Sequence, residues 1–225
     1  MIPLICLLVT IGIYIASRAL YARFSLFILT PVLVTPLLLI GLLLITGIPY
    51  TDFDSGAHWL SDLLKPATVA LAVPLYRHFD VLKKHALEIV CGVIAGSAAS
   101  VICAAAAGGL FHFNATLTES LIPRSVTTPI AMNLSATLGG NPAFTAALVM
   151  VTGLTGSLFG PAVIRMLHVE SDVTRGVMLG TSAHGAGTSK AFELGSLAGA
   201  IASVSMIIAA LLAIIALPVF AQLIY

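Results

Sequence analysis

Apolar runs long enough to cross a lipid bilayer recur from one end of this chain to the other, and they limit its folds more than any other feature. Ala86–Leu110, ALEIVCGVIAGSAASVICAAAAGGL, carries a single charge, Glu88. Similar runs occupy 26–46, 142–167 and 194–223, and a proline-interrupted one occupies 60–76. Spans of about 20 apolar residues are what a hydrocarbon core requires. Hydrocarbon offers the backbone no partner, so each span must satisfy its own N–H and C=O groups as a helix, and nothing here alternates as barrel strands do. The expected fold class is therefore an all-α integral membrane protein, a polytopic helical bundle forming one membrane domain over residues 1–225.

Composition adds a few exclusions. With 59% hydrophobic residues, 8% charged and a mean hydropathy of +1.10, no soluble domain can be fitted. A net charge of +1 gives no pull toward nucleic acid. Cys6, Cys91 and Cys103 sit in apolar stretches without CxxC pairing, so they read as packing residues; no metal or other cofactor is expected. The N-terminal run MIPLICLLVTIGIYIAS lacks the basic leader of a cleaved signal and reads as a retained first helix ending near Arg18 and Arg23.

Basic residues gather at Arg18/Arg23, Arg77/Lys83/Lys84 and Arg165/Arg175, whereas Asp52/Asp54 and Glu119 mark loops poor in basic residues. Basic loops are expected in the cytoplasm. With four crossings before residue 111, this pattern holds only if the next segment, SLIPRSVTTPIAMNLSATLGG, enters the membrane and returns. A full crossing there is the alternative.

Two interrupted segments carry the chemistry. In PRSVTTPIAM, Thr128 is suited to cap a helix that begins with Pro129, whose missing N–H costs nothing at the first helical position. A half-helix starting at mid-membrane presents free N–H groups and the positive end of its dipole, which with the Thr127 and Thr128 hydroxyls suits a carboxylate. In GTSAHGAGTSKAFE, Gly185 and Gly187 are expected to break a helix and Thr188 or Ser189 to cap the next, with Ser182 and His184 beside them. Two breaks in one chain point to a transporter's midplane site, although prolines and glycines also merely kink packed helices. LLKPATVALAVPLY offers a third break.

Charges beside these breaks need a partner or a watery cavity. Arg124 and Lys65 read either as site residues or as side chains snorkelling from helix ends. Lys190 and Glu193, three apart on one helix face, either balance substrate charge or pair with each other. His184 titrates near neutral pH in ordinary surroundings, which suits hydrogen bonding to a ligand or proton coupling; the alternative is a structural histidine. Catalysis is not expected, because GTSAHG lacks the last glycine of a nucleophile elbow and HExxH is absent.

LKPATVALAVPLY, PRSVTTPIAM, GGNPAFTAALVMVTGLTGSLFGPAVIRMLHV and RGVMLGTSAHGAGTSKAFELG, in this order, resemble the LrgB family, which includes CidB, bacterial YohK proteins and the plastid glycolate/glycerate translocator. The resemblance covers most of the chain from residue 60 onward. It implies a multi-pass protein of the bacterial inner membrane that works beside a small holin-like partner of the LrgA/CidA type, as a homo- or hetero-oligomer. The plastid relatives carry small 2-hydroxy monocarboxylates, and bacterial ones are linked to pyruvate movement or to murein hydrolase export and lysis. Carried over by motif, the functional positions are Thr127, Thr128 and Pro129, then His184, Gly187, Thr188 and Glu193. Relatives often have serine where Ala183 stands and arginine where Lys190 stands; a lysine offers a point charge rather than a bidentate fork. The resulting expectation is a carrier of glycolate, glycerate, lactate or pyruvate by alternating access, with a holin-associated regulator lacking carrier activity as the rival.

Overall fold

The computed structural model describes residues 2–24, 29–63, 66 and 72–224. No strand occurs among them, and the chain groups into two compact units, Met1–Ala70 and Leu71–Tyr225. It is an all-α, multi-pass membrane protein. Four of the described helices are long and apolar enough to cross a bilayer: Pro3–Phe24, Ala86–Leu110, Pro142–Met166 and Ser196–Val219.

The first unit holds α1 (Ile2–Phe24), α2 (Pro31–Thr46) and α3 (Tyr50–Asp62). Pro31 opens α2, and Gly47, at φ 65°, closes it by donating its N–H to Leu43 O. The stretch with Asp52 and Asp54, expected as a loop, is helical in α3, and its Gly56 lies against the Pro3 backbone, where any Cβ would collide. Much of the expected span at 60–76, Lys65 included, lies outside the described residues.

In the second unit, α4 (Ala72–Arg77) and α5 (Phe79–Lys84) lead into α6 (Ala86–Leu110). Next come α7 (Ala115–Leu121), a 3-10 turn (Ile122–Ser125) and α8 (Thr128–Leu138); then α9 (Pro142–Met166), α10 (Asp172–Leu194) and α11 (Ser196–Ile224). The side chains of Ile102, Met150, Val151, Phe159 and Ile215 on the long helices are more than half exposed, as lipid-facing residues are.

Two segments of this unit double back. α7, the turn and α8 form hairpin 1. Its far end returns to the last turn of α7: the Asn141 N–H donates to Ser120 Oγ at 2.8 Å, and a Cβ on Gly140 would stand 2.8 Å from Ser120 N. The reversal out of α8 uses Gly139 at φ 99°, a torsion that favours glycine. Fully buried hydroxyls fasten the closure. Thr145 Oγ1 lies 2.7 Å from Ser135 Oγ, 3.1 Å from Ser120 O and 3.0 Å from Asn141 O, so helix α9 is bonded to both arms of the hairpin.

α10 is hairpin 2. A straight helix of its 23 residues would be about 34 Å long. Instead, a Cβ on Gly195, just past its end, would lie 3.8 Å from Oδ2 of Asp172 at its start. The fold occurs at His184, whose φ of 38° and ψ of −121° interrupt the helix. Gly185 and Gly187 have no positive φ, so the break expected of the glycines falls on the histidine before them.

Hairpin 1 closes beside the first residue of α9 and hairpin 2 begins just past its last, so the two enter from opposite ends of one membrane-crossing helix. The order, long helix then hairpin (α6 with hairpin 1, α9 with hairpin 2), occurs twice in opposite senses. Small residues let these elements approach. A Cβ on Gly156 or Gly160 of α9 would reach within 2.5 Å of Ala183 or Leu179 of hairpin 2, and a Cβ on Gly176 would meet the Ala198 carbonyl of α11.

Candidate site where the hairpin tips meet

Each hairpin tip is made by a different local device. In hairpin 1, Val126 and Thr127 are extended, and α8 restarts with Thr127 as the cap, Thr128 first and Pro129 second. The cap thus lies one residue earlier than the sequence pattern placed it. The Ala131 N–H already donates to Thr127 O, and the Thr127 hydroxyl makes no capping bond. The N–H groups of Thr127, Thr128 and Ile130 have no acceptor within the helix. Val126, nearly fully buried, anchors the tip against Ala131, Val149 and Ala210.

The tips touch. His184 Nε2 lies 3.2 Å from the carbonyl oxygen of Arg124, and because a carbonyl only accepts, the imidazole carries its proton on Nε2. The ring is buried, and a Cβ on Gly153, near the middle of α9, would stand 3.8 Å from its Cε1. Both breaks therefore lie at about the midpoint of a crossing helix. The Arg124 guanidinium turns back on its own segment, with Nη1 3.4 Å from Leu121 O.

Other residues of the two motifs are arranged differently. Ser182 is exposed and donates to Met178 O at 2.6 Å, and Pro129, Gly185 and Ser189 are exposed. Thr188 and Ser189 lie inside the second arm of hairpin 2 and cap nothing. Thr188 is buried toward α11, where its hydroxyl stands 3.9 Å from Met206 Sδ. Gly187 is needed for close packing between the arms, since a Cβ there would stand 2.8 Å from Ala183 Cβ. Lys190 and Glu193 pair with each other near the outer end of the second arm.

A cavity of about 280 Å³ lies beside the tip of hairpin 1, between α6 and α11. Ser125 and Val126 face it with Ile94, Ser97, Val101 and Leu212. Its lining is apolar apart from Ser97 and Ser125, and neither 127–129 nor 182–189 contributes to it. Ser125 lay inside the PRSVTT motif but carried no signal of its own, and Ser97 was hidden in an unbroken apolar span.

Residues 10–223 match the LrgB-like family. The chain belongs to that family. Over 96% of each chain it is 49% identical to the protein YwbG of Bacillus subtilis. The antiholin-like protein LrgB of the same organism is 33% identical over 88% of this chain and 86% of its own. The holin-like protein CidB of Staphylococcus epidermidis is 31% identical over 97% and 96%. No solved structure matches. Neither antiholin-like nor holin-like describes an enzyme, and both fit a multi-pass membrane protein.

Proposed function

We propose that this protein is a carrier of small monocarboxylates such as glycolate, glycerate, lactate or pyruvate in the bacterial inner membrane. The observation that carries the reading is the meeting of two oppositely entering hairpins, held tip to tip by His184 and the Arg124 carbonyl at the level of mid-α9. Inverted pairs of broken helices around a midplane site are the architecture of alternating-access carriers. The substrate carboxylate binds at the start of α8, at its free N–H groups and positive dipole end, with the Thr127 and Thr128 hydroxyls as further donors. His184 senses the occupied site through the tip contact, whereas Lys190 and Glu193 fasten the outer arm. A small holin-like membrane protein of the LrgA/CidA type is the partner of this assembly.

The names of the relatives favour a second reading, a holin-associated regulator of lysis without carrier activity. Uptake of labelled pyruvate and glycolate into proteoliposomes, with and without the small partner, separates the two. Saturable uptake by the protein alone supports the carrier. Absence of uptake, or an unsaturable leak, overturns it.

A further inference from the structure

Hydroxyls within an apolar helix, buried or not, commonly donate to the carbonyl one turn back. Ser182 does so to Met178 at 2.6 Å, and Ser203 to Gly199 at 2.9 Å. Their near neighbours do not. Thr181 Oγ1 and Ser205 Oγ are the two buried side-chain oxygens without a hydrogen-bond partner among the described residues of the second unit. The residues are 7% and 0% exposed. Leaving such a group unpaired is costly, so two of them at one level of a bundle call for a physical reason.

Thr181 belongs to hairpin 2 near its tip, and Ser205 to α11, which packs alongside. Thr181 lies three residues before the break and packs its methyl against α6, where a Cβ on Gly96 would be 3.0 Å from Thr181 Cγ2. Gly180 seats against Ala202 of α11, and Thr188 of the returning arm meets Met206. Ser205 lies between those two contacts and is thereby fixed at the same level. Thr181 also belongs to the last turn of a helical arm that stops at His184, so carbonyls of that turn have lost their helical partners and form the negative end of the arm's dipole. The donors at this level are neutral oxygens, two of them buried without a partner, beside a negative dipole end. That set repels an anion, and it lacks the carboxylates by which proteins hold calcium or magnesium. It suits a monovalent cation, which broken helices bind through unwound carbonyls and half-helix C-termini.

We propose that Thr181, Ser205 and the last-turn carbonyls before His184 form a sodium-ion site. The site rests on these two buried, unpaired hydroxyls and the interrupted helix end. Only its coupling to a carboxylate at α8, whose charge the ion offsets, rests on the carrier reading.

The test uses sodium alone, with no carboxylate present. Thermal unfolding of the purified full chain in detergent is compared in NaCl, KCl and choline chloride at equal ionic strength. Sodium is expected to give a saturable rise in Tm that potassium and choline do not. Thr181→Val, which keeps shape and removes an unpaired hydroxyl, and Ser205→Ala each abolish the sodium-specific rise, whereas Thr181→Ser retains it. Binding of radioactive sodium to the same preparations follows the same order. Equal Tm in sodium and potassium, or a sodium response that survives in both Thr181→Val and Ser205→Ala, overturns the site. A sodium response that persists while proteoliposomes show no carboxylate uptake overturns the carrier reading and leaves the ion site in place.

Discussion

Gly185 and Gly187 look interchangeable in the sequence, and the fold predicts opposite outcomes when each becomes alanine. At Gly187 the new Cβ would stand 2.8 Å from Ala183 Cβ and 2.9 Å from the Leu179 carbonyl carbon, with the Leu179 oxygen nearer still. Carbon atoms in contact prefer about 3.5–4.0 Å, so the arms of hairpin 2 must part by roughly 1 Å. The obstacles are backbone and a Cβ, which no rotamer change can move aside. Overpacking against atoms that cannot move aside falls in the upper part of the usual range, about 2–3 kcal/mol. Alanine's helix propensity recovers up to about 1 kcal/mol, leaving a net loss of about 1–2 kcal/mol. For a chain of this size each kcal/mol moves Tm by about 2–4 °C, so Gly187→Ala should melt roughly 2–8 °C lower. At Gly185 nothing lies within 4 Å and φ is not positive, so alanine gains propensity without a clash and Tm stays level or rises by about 2–4 °C. Circular dichroism melts at one scan rate in one detergent measure both. Equal losses at the two positions, or a stable Gly187→Ala, would refute the close-packed hairpin.

Thr145→Val removes the hydroxyl that joins α9 to both arms of hairpin 1 and leaves Ser135 without its partner; a loss of about 1–3 kcal/mol is expected in the same melts. Replacing Thr127 and Thr128 together by valine should weaken carboxylate binding by about 1–3 kcal/mol in calorimetry, and an unchanged Kd in a folded double variant removes them from the site. His184→Gln keeps a donor for the Arg124 carbonyl and abolishes titration, so proton coupling through the imidazole predicts a flattened pH profile of uptake in vesicles. A wild-type profile in that variant places coupling elsewhere. Single cysteines introduced near Arg18, Lys83 and residue 170 should be shielded from an impermeant thiol reagent outside the cell, and labelling near 170 contradicts the orientation of hairpin 2.

Membrane residence and an all-helical fold were legible because they follow from local rules. A long run such as Ala86–Leu110 in hydrocarbon has to be a helix, and the structure gives it those bounds. The breaks were legible to within a residue or two, because Pro129 cannot donate within a helix and GTSAHGAG is too rich in glycine and hydroxyls to hold a plain span. Which residue does what at each break was decided by contacts between distant segments. The left-handed torsion falls on His184 rather than on Gly185 or Gly187, where the ring reaches a carbonyl 60 residues earlier in the chain. Gly187 is required by the Leu179 and Ala183 backbone folding back upon it, a closeness that exists only once the hairpin has formed. Thr181 was passed over in a motif whose histidine drew attention, because only the packing of α6 and α11 around it leaves its hydroxyl buried and unpaired. The sequence determined where the helices run and where they stop, through backbone chemistry within a few residues; only the tertiary structure decided which side chains the stops bring together, because that depends on which helices lie alongside.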